Sequence, residues 1–92
     1  GYLSQEQKDQ AAGIFRVLSW AKEQLMTHKL SFDEVEQKAV KQLKEQGFRV
    51  DYFNIANADS LQVAETSDTN IVILAAAFLG KVRLIDNVTL TL

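Results

Sequence analysis

The sequence predicts an α+β domain: two N-terminal helices, then a three-stranded, mainly antiparallel sheet that the helices cover on one face. Three observations carry this. Two capping boxes, Ser4-x-x-Gln7 and Ser31-x-x-Glu34, each introduce an apolar pattern of helical spacing. Residues 70–87 read N-I-V-I-L-A-A-A-F-L-G-K-V-R-L-I-D-N, an apolar run, a glycine-led turn and a second β-forming arm. Between helices and hairpin, residues 49–56 place Val50, Tyr52, Phe53 and Ile55 close together, as a further strand requires.

The first helix follows the Ser4/Gln7 box, in which each side chain satisfies an amide that the first turn leaves unpaired. Ala11, Ile14, Phe15, Leu18, Ala21 and Leu25 recur at three-and-four spacing and form its expected buried stripe. Val17 and Trp20 widen the apolar surface, and Lys22 borders it, stem along the stripe and ammonium in water. Gly13 inside this helix costs about 1 kcal/mol relative to alanine, which a close approach by another element would explain. His28 and Lys29 stand near the expected helix end, where a cation suits the helix dipole.

The second helix opens at Ser31 and Glu34. Val35, Ala39, Val40 and Leu43 form its expected buried stripe, with Glu36, Lys38, Lys41, Lys44 and Glu45 turned largely to water. Glu34 and Lys38 have the favourable i, i+4 order. Gly47 fits the left-handed position just past the helix end, and Phe48 then packs back on Leu43.

After the strand at 49–56, Asn57-Ala58-Asp59-Ser60 is turn chemistry. Residues 61–65 suit a short helical turn, and 66–70 form a polar loop into the central strand. The run from Ile71 to Leu79 is too short to span a membrane and begins with β-branched residues. Its competing reading is a helix, because Ala75-Ala76-Ala77 is good helix material. Gly80-Lys81 suits a type II′ turn with Gly first. That turn sets Leu79 against Val82, Ala77 against Leu84 and Ala75 against Asp86. Val82, Leu84 and Asp86 then share one face, with Arg83 and Ile85 on the other. Residues 88–92 alternate and continue or restart the last strand.

Ninety-two residues make one domain with a single modest core. A hydrophobic content of 47% with 24% charged residues separates it from disordered chains. The net charge of −2 offers no basic excess for phosphate neutralisation, which argues against a nucleic-acid partner. No stretch resembles a leader or a membrane span. The absence of cysteine excludes a disulfide scaffold or a thiolate metal site and is compatible with the cytoplasm.

Catalytic constellations do not assemble from these residues. The four glycines are isolated, so no phosphate loop is present. His28 is the single histidine and reads as a solvated cap residue. Asp51, Asp59, Glu65, Asp68 and Asp86 lack the spacing of a metal cage. Asp86 reads as an acceptor for backbone amides rather than a buried catalytic carboxylate. Arg83 reads as half of an ion pair, and Trp20 and Phe78 as core or interdomain packing. The expected catalytic, cofactor-binding and metal-ligating sets are therefore all empty.

The opening G-Y-L-S, the A-D-S-L at 58–61 and above all A-A-A-F-L-G-K-V-R-L-I-D-N at 75–87 make a family resemblance. The chain resembles the C-terminal domain of the pantoate–β-alanine ligases. Gly80, Arg83, Leu84, Ile85, Asp86 and Asn87 match the family's G-x-x-R-L-I-D-N ending, and the paired helices with Gly47-Phe48 agree. Val82 stands where small or hydroxylated residues are commoner. The resemblance implies a parent enzyme in which pantoate and ATP, with magnesium, form a pantoyl adenylate that β-alanine attacks. The products are pantothenate, AMP and pyrophosphate. It also implies that the nucleotide and substrate residues lie in a Rossmann-like N-terminal domain and in an S-S-R-N segment just before G-Y-L. None of them maps onto a numbered position here. Residues 1–92 are then expected to form one hinged lid domain, with Tyr2 and Leu3 anchoring its joint. On its own the chain is expected to be inactive, without bound ATP or magnesium, and monomeric. The parent is expected to be a cytoplasmic homodimer through its N-terminal domain. The competing class is a freestanding α+β interaction module without catalysis.

Overall fold

A computed structural model describes residues 5–92, the side chains of residues 5–8, 10 and 11 excepted. The elements run α1 (Gln5–Met26), α2 (Phe32–Glu45), β1 (Arg49–Asn57), β2 (Asn70–Leu79) and β3 (Val82–Thr91). The first capping box, Ala11 of the expected stripe and the joint residues Tyr2 and Leu3 lie outside the described residues or side chains.

The α+β architecture is the expected one. One antiparallel sheet has the order β1-β2-β3, with β2 in the centre. The apolar run is therefore a strand: its β-branched start and the glycine turn outweigh the helix propensity of its three alanines. Leu79 faces Val82, Ala77 faces Leu84 and Ala75 faces Asp86. Gly80 has φ 62° while Lys81 stays out of the left-handed region, the combination that defines type II′. β3 runs unbroken to Thr91. β1 carries an irregularity that the strand pattern did not show. Val50 pairs with Ala77 and Tyr52 with Ala76, so Asp51 is the extra residue of a β-bulge.

Alternate residues of β2 separate two faces. Ile71, Ile73, Ala75, Ala77 and Leu79 enter a core with Ile14, Val17, Leu18 and Leu25 of α1 and Val35, Ala39 and Leu43 of α2. Both helices thus lie on this inner side.

The second helix behaves as its sequence says. Glu34 N–H donates to Ser31 Oγ at 3.2 Å, and the Glu34 carboxylate reaches back to Ser31 N–H. At its other end Gly47 N–H donates to the Lys44 carbonyl and Phe48 N–H to the Leu43 carbonyl, both at 3.0 Å, a Schellman pair. Gly47 takes φ 93°, and Phe48 is buried with Leu43.

Five expectations need correction. Phe15 is 57% exposed. Burial follows Ile14, Val17, Leu18, Ala21 and Leu25, and a residue next to Ile14 stands about 100° further round, off that stripe. Val40 is only half-buried, at the stripe's margin. Glu36 does more than face water: its Oε1 accepts the Ile55 N–H at 3.0 Å on the outer edge of β1. α1 ends at Met26, so His28 lies beyond its last turn, in a left-handed conformation at φ 54°. There His28 N–H donates to the Leu25 carbonyl and Lys29 N–H to the Gln24 carbonyl, a second Schellman pair that uses histidine where α2 uses glycine. Finally, residues 61–65 form no helical turn. Asn57 Oδ1 accepts Asp59 N–H and Ser60 N–H, which folds the chain back. Leu61 N–H and the Gln62 carbonyl then bond to Asn57, Ala64 N–H bonds to the Ile55 carbonyl, and Val63 bridges Ala56. The strap runs antiparallel to β1 and covers its edge.

The close approach expected at Gly13 is present. A Cβ there would collide with Oε1 of Gln46, the cap residue of α2.

Candidate functional site

Among the described residues, no helix lies above the second face of the sheet. Strand register sets four rows across it: Arg49–Phe78–Arg83, Tyr52–Ala76–Ile85, Asn54–Leu74–Asn87 and Ala56–Val72–Thr89. The Arg49 guanidinium lies 4.2 Å from the centroid of the Phe78 ring, within cation–π range. From β3, Arg83 reaches across the central strand to Asp51 on β1. Its Nη2 and Nε both donate to Asp51 Oδ2, at 2.9 and 3.3 Å. The bulge makes this possible, because it places Asp51 outside the regular alternation of β1. Ala76 is fully buried although it belongs to this outer face. Ile85, in the same row, is 62% exposed.

The other singled-out residues disperse. Asp86 sits half-buried on the inner face, and its Oδ1 accepts the Asn87 N–H at 2.8 Å, the backbone-acceptor role expected of it. Trp20 packs half-buried against the core; Phe78 is half-buried outside it. Lys22 reaches a small groove lined by Asp59, Asn70, Thr89 and Thr91. His28 is exposed at the rim of a larger open groove of about 730 Å³, which Leu25, Leu30, Phe32 and Leu92 floor. Asp68, on that rim, bonds to the Glu65 N–H. Among the described residues no buried side-chain polar atom lacks a partner, so neither groove aims an unpaired buried group at a ligand. No three His, Cys, Asp or Glu among them gather as a metal site. The outer face itself was missed from sequence. Its signal was present in the even-numbered residues of β2 from Val72 to Phe78, which are as apolar as the odd ones.

Fold and site define an open-faced two-layer α+β domain. Its helix-free sheet face carries Arg49, Phe78, Arg83 and Asp51 in one group. The family model described as Pantoate-beta-alanine ligase matches residues 1–89. The chain is 50% identical over 91 residues to pantothenate synthetase of Idiomarina loihiensis, covering 99% of this chain and 32% of that protein. It is 47% identical over 92 residues to pantothenate synthetase of Shewanella halifaxensis, covering 100% of this chain and 32% of that one. The crystal structure of pantothenate synthetase from Thermus thermophilus superposes with a TM-score of 0.81 at 26% identity, over 95% of this chain and 32% of that one. This chain belongs to the pantoate–β-alanine ligase family. It spans about a third (32%) of the length of these relatives.

Proposed function

We propose that the chain is the C-terminal lid domain of a pantothenate synthetase. The parent enzyme joins pantoate and β-alanine, using ATP, through a pantoyl adenylate. The observation that carries this reading is the coverage: family likeness runs along nearly the whole chain yet accounts for only 32% of each relative. The R-L-I-D-N motif at 83–87, which the family bears near its C-terminus, supports the placement. ATP and magnesium belong to the parent. Among the described residues no three His, Cys, Asp or Glu gather as a metal site, which supports reading the metal and nucleotide as held elsewhere in the parent. What the domain contributes is positioning: closing over a site held elsewhere and keeping water from a reactive acyl adenylate. The parent is read as a cytoplasmic homodimer and the isolated domain as a monomer. No described helix is long and apolar enough to cross a membrane.

The coding DNA upstream of Gly1 tests the reading. It is expected to encode S-S-R-N next to Gly1, preceded by a Rossmann-like domain with H-I-G-H-type residues. A start codon directly before Gly1 overturns the reading and leaves the freestanding interaction module. The purified 92-residue chain is expected to fold and to release no pyrophosphate from ATP and pantoate; turnover would also overturn it.

A further inference from the structure

We infer that the open face of the sheet is the surface on which this domain seats against the remaining two-thirds of a parent ligase. The partner surface is apolar and carries a carboxylate toward Arg49 and Arg83. The inference rests on the lid reading and names its docking surface.

Four observations converge on it. Both helices lie on the inner side, so no described helix of this chain covers Leu74 and Phe78, which stay half-buried beside the exposed Ile85. The residues Arg83, Ile85 and Asn87, alternate members of the R-L-I-D-N motif, all fall on this face, and all three are exposed. The charged groups of the face are Arg49, Asp51 and Arg83, with Asp51 already bonded to Arg83, so an excess positive charge remains. Two copies set face to face would oppose like charges, whereas a carboxylate on a different surface complements them. Size points the same way. Three strands of nine or ten residues offer about 400 Å² per side, from strand spacing and rise. That makes about 800 Å² in total, below the roughly 1,000 Å² a free-standing complex needs and within the range of contacts between covalently tethered domains. The tether supplies the effective concentration that a second copy lacks.

The chain contains no cysteine, so a single thiol placed in it reports on one position. Ile85→Cys is introduced into both the 92-residue chain and the parent ligase, and maleimide labelling of that peptide is timed by mass spectrometry. Gln37→Cys, at an exposed position on α2, is the control. Expected is labelling at position 85 at least about tenfold slower in the parent than in the chain alone, with equal rates at position 37. Equal rates at position 85 in a parent whose upstream sequence is that of the ligase overturn the inference and leave the lid reading standing. Absence of such a parent overturns both. Sedimentation of the chain alone is expected to show a monomer. A dimer abolished by Ile85→Glu assigns the face to a second copy and also overturns the inference.

Discussion

The two faces of β2 are close to equal in composition and opposite in fate. Its odd-numbered residues, from Ile71 to Leu79, all enter the core beneath the helices. Its even-numbered residues Val72, Leu74, Ala76 and Phe78 are also apolar, yet none of them joins the core beneath the helices. Arg49 lies over Phe78, and Arg83 spans the sheet to Asp51. A strand that is apolar throughout is the usual signature of burial on both faces. Here one face is buried by the fold, while the other mixes apolar residues such as Ile85 with Arg49 over Phe78 and the Arg83–Asp51 pair, whose charged heads keep it wettable. Apolar pattern alone therefore reports a demand for burial, not who meets it.

The sharpest break of this comparison is a matched pair of truncations. Ile73→Ala removes a fully buried inner side chain and is expected to cost about 3 kcal/mol of unfolding free energy in urea melts. Ile85→Ala, on the outer face, is expected to cost under about 1 kcal/mol in the same melts. Comparable losses would mean that both faces are buried and would dissolve the distinction.

The helices that make the inner face different can be probed at their ends. Gly47→Ala places a Cβ at φ 93° with no atom within 4 Å to clash, so the loss is backbone strain alone, about 1 kcal/mol. His28 occupies the equivalent position after α1 with a side chain present, so His28→Gly is expected to raise stability by about 0.5 kcal/mol. A rise at position 47 or a loss at position 28, read as denaturation midpoints, would show that something other than the left-handed backbone governs these caps.

The smallest effect belongs to the outer face. Asp51→Asn removes the partner of Arg83, both side chains being about two-fifths exposed (42% and 41%). The expected loss is about 0.5 kcal/mol at low ionic strength, shrinking toward nothing in about 1 M salt. A salt-independent loss above about 1 kcal/mol would mean that the pair organises the face rather than merely lying on it.

Local chemistry was legible in the residues. The Ser31/Glu34 box, the Gly47-Phe48 terminus and the Gly80-Lys81 turn form as written, because each depends on bonds among residues within about five positions of one another. Turn geometry then set the hairpin register and sent Arg83 and Ile85 to the face opposite Leu84.

Tertiary structure decided what local rules leave degenerate. Val40 continues the apolar stripe of α2, and only the position of α1 and the sheet buries Val35, Ala39 and Leu43 while leaving Val40 half-buried. Glu36 looked like any solvated helix carboxylate until β1 brought the Ile55 amide to it, nineteen residues away. The strap at 61–64 obeyed the edge of β1 rather than its own helix propensity, since pairing satisfies backbone groups on both segments. The bulge at Asp51 and the reach of Arg83 across the sheet likewise exist only once three strands are side by side. Sequence determines the elements and their ends, where the partners are near neighbours. Assembly decides which apolar surface is covered, because that depends on segments far apart in the chain meeting in space.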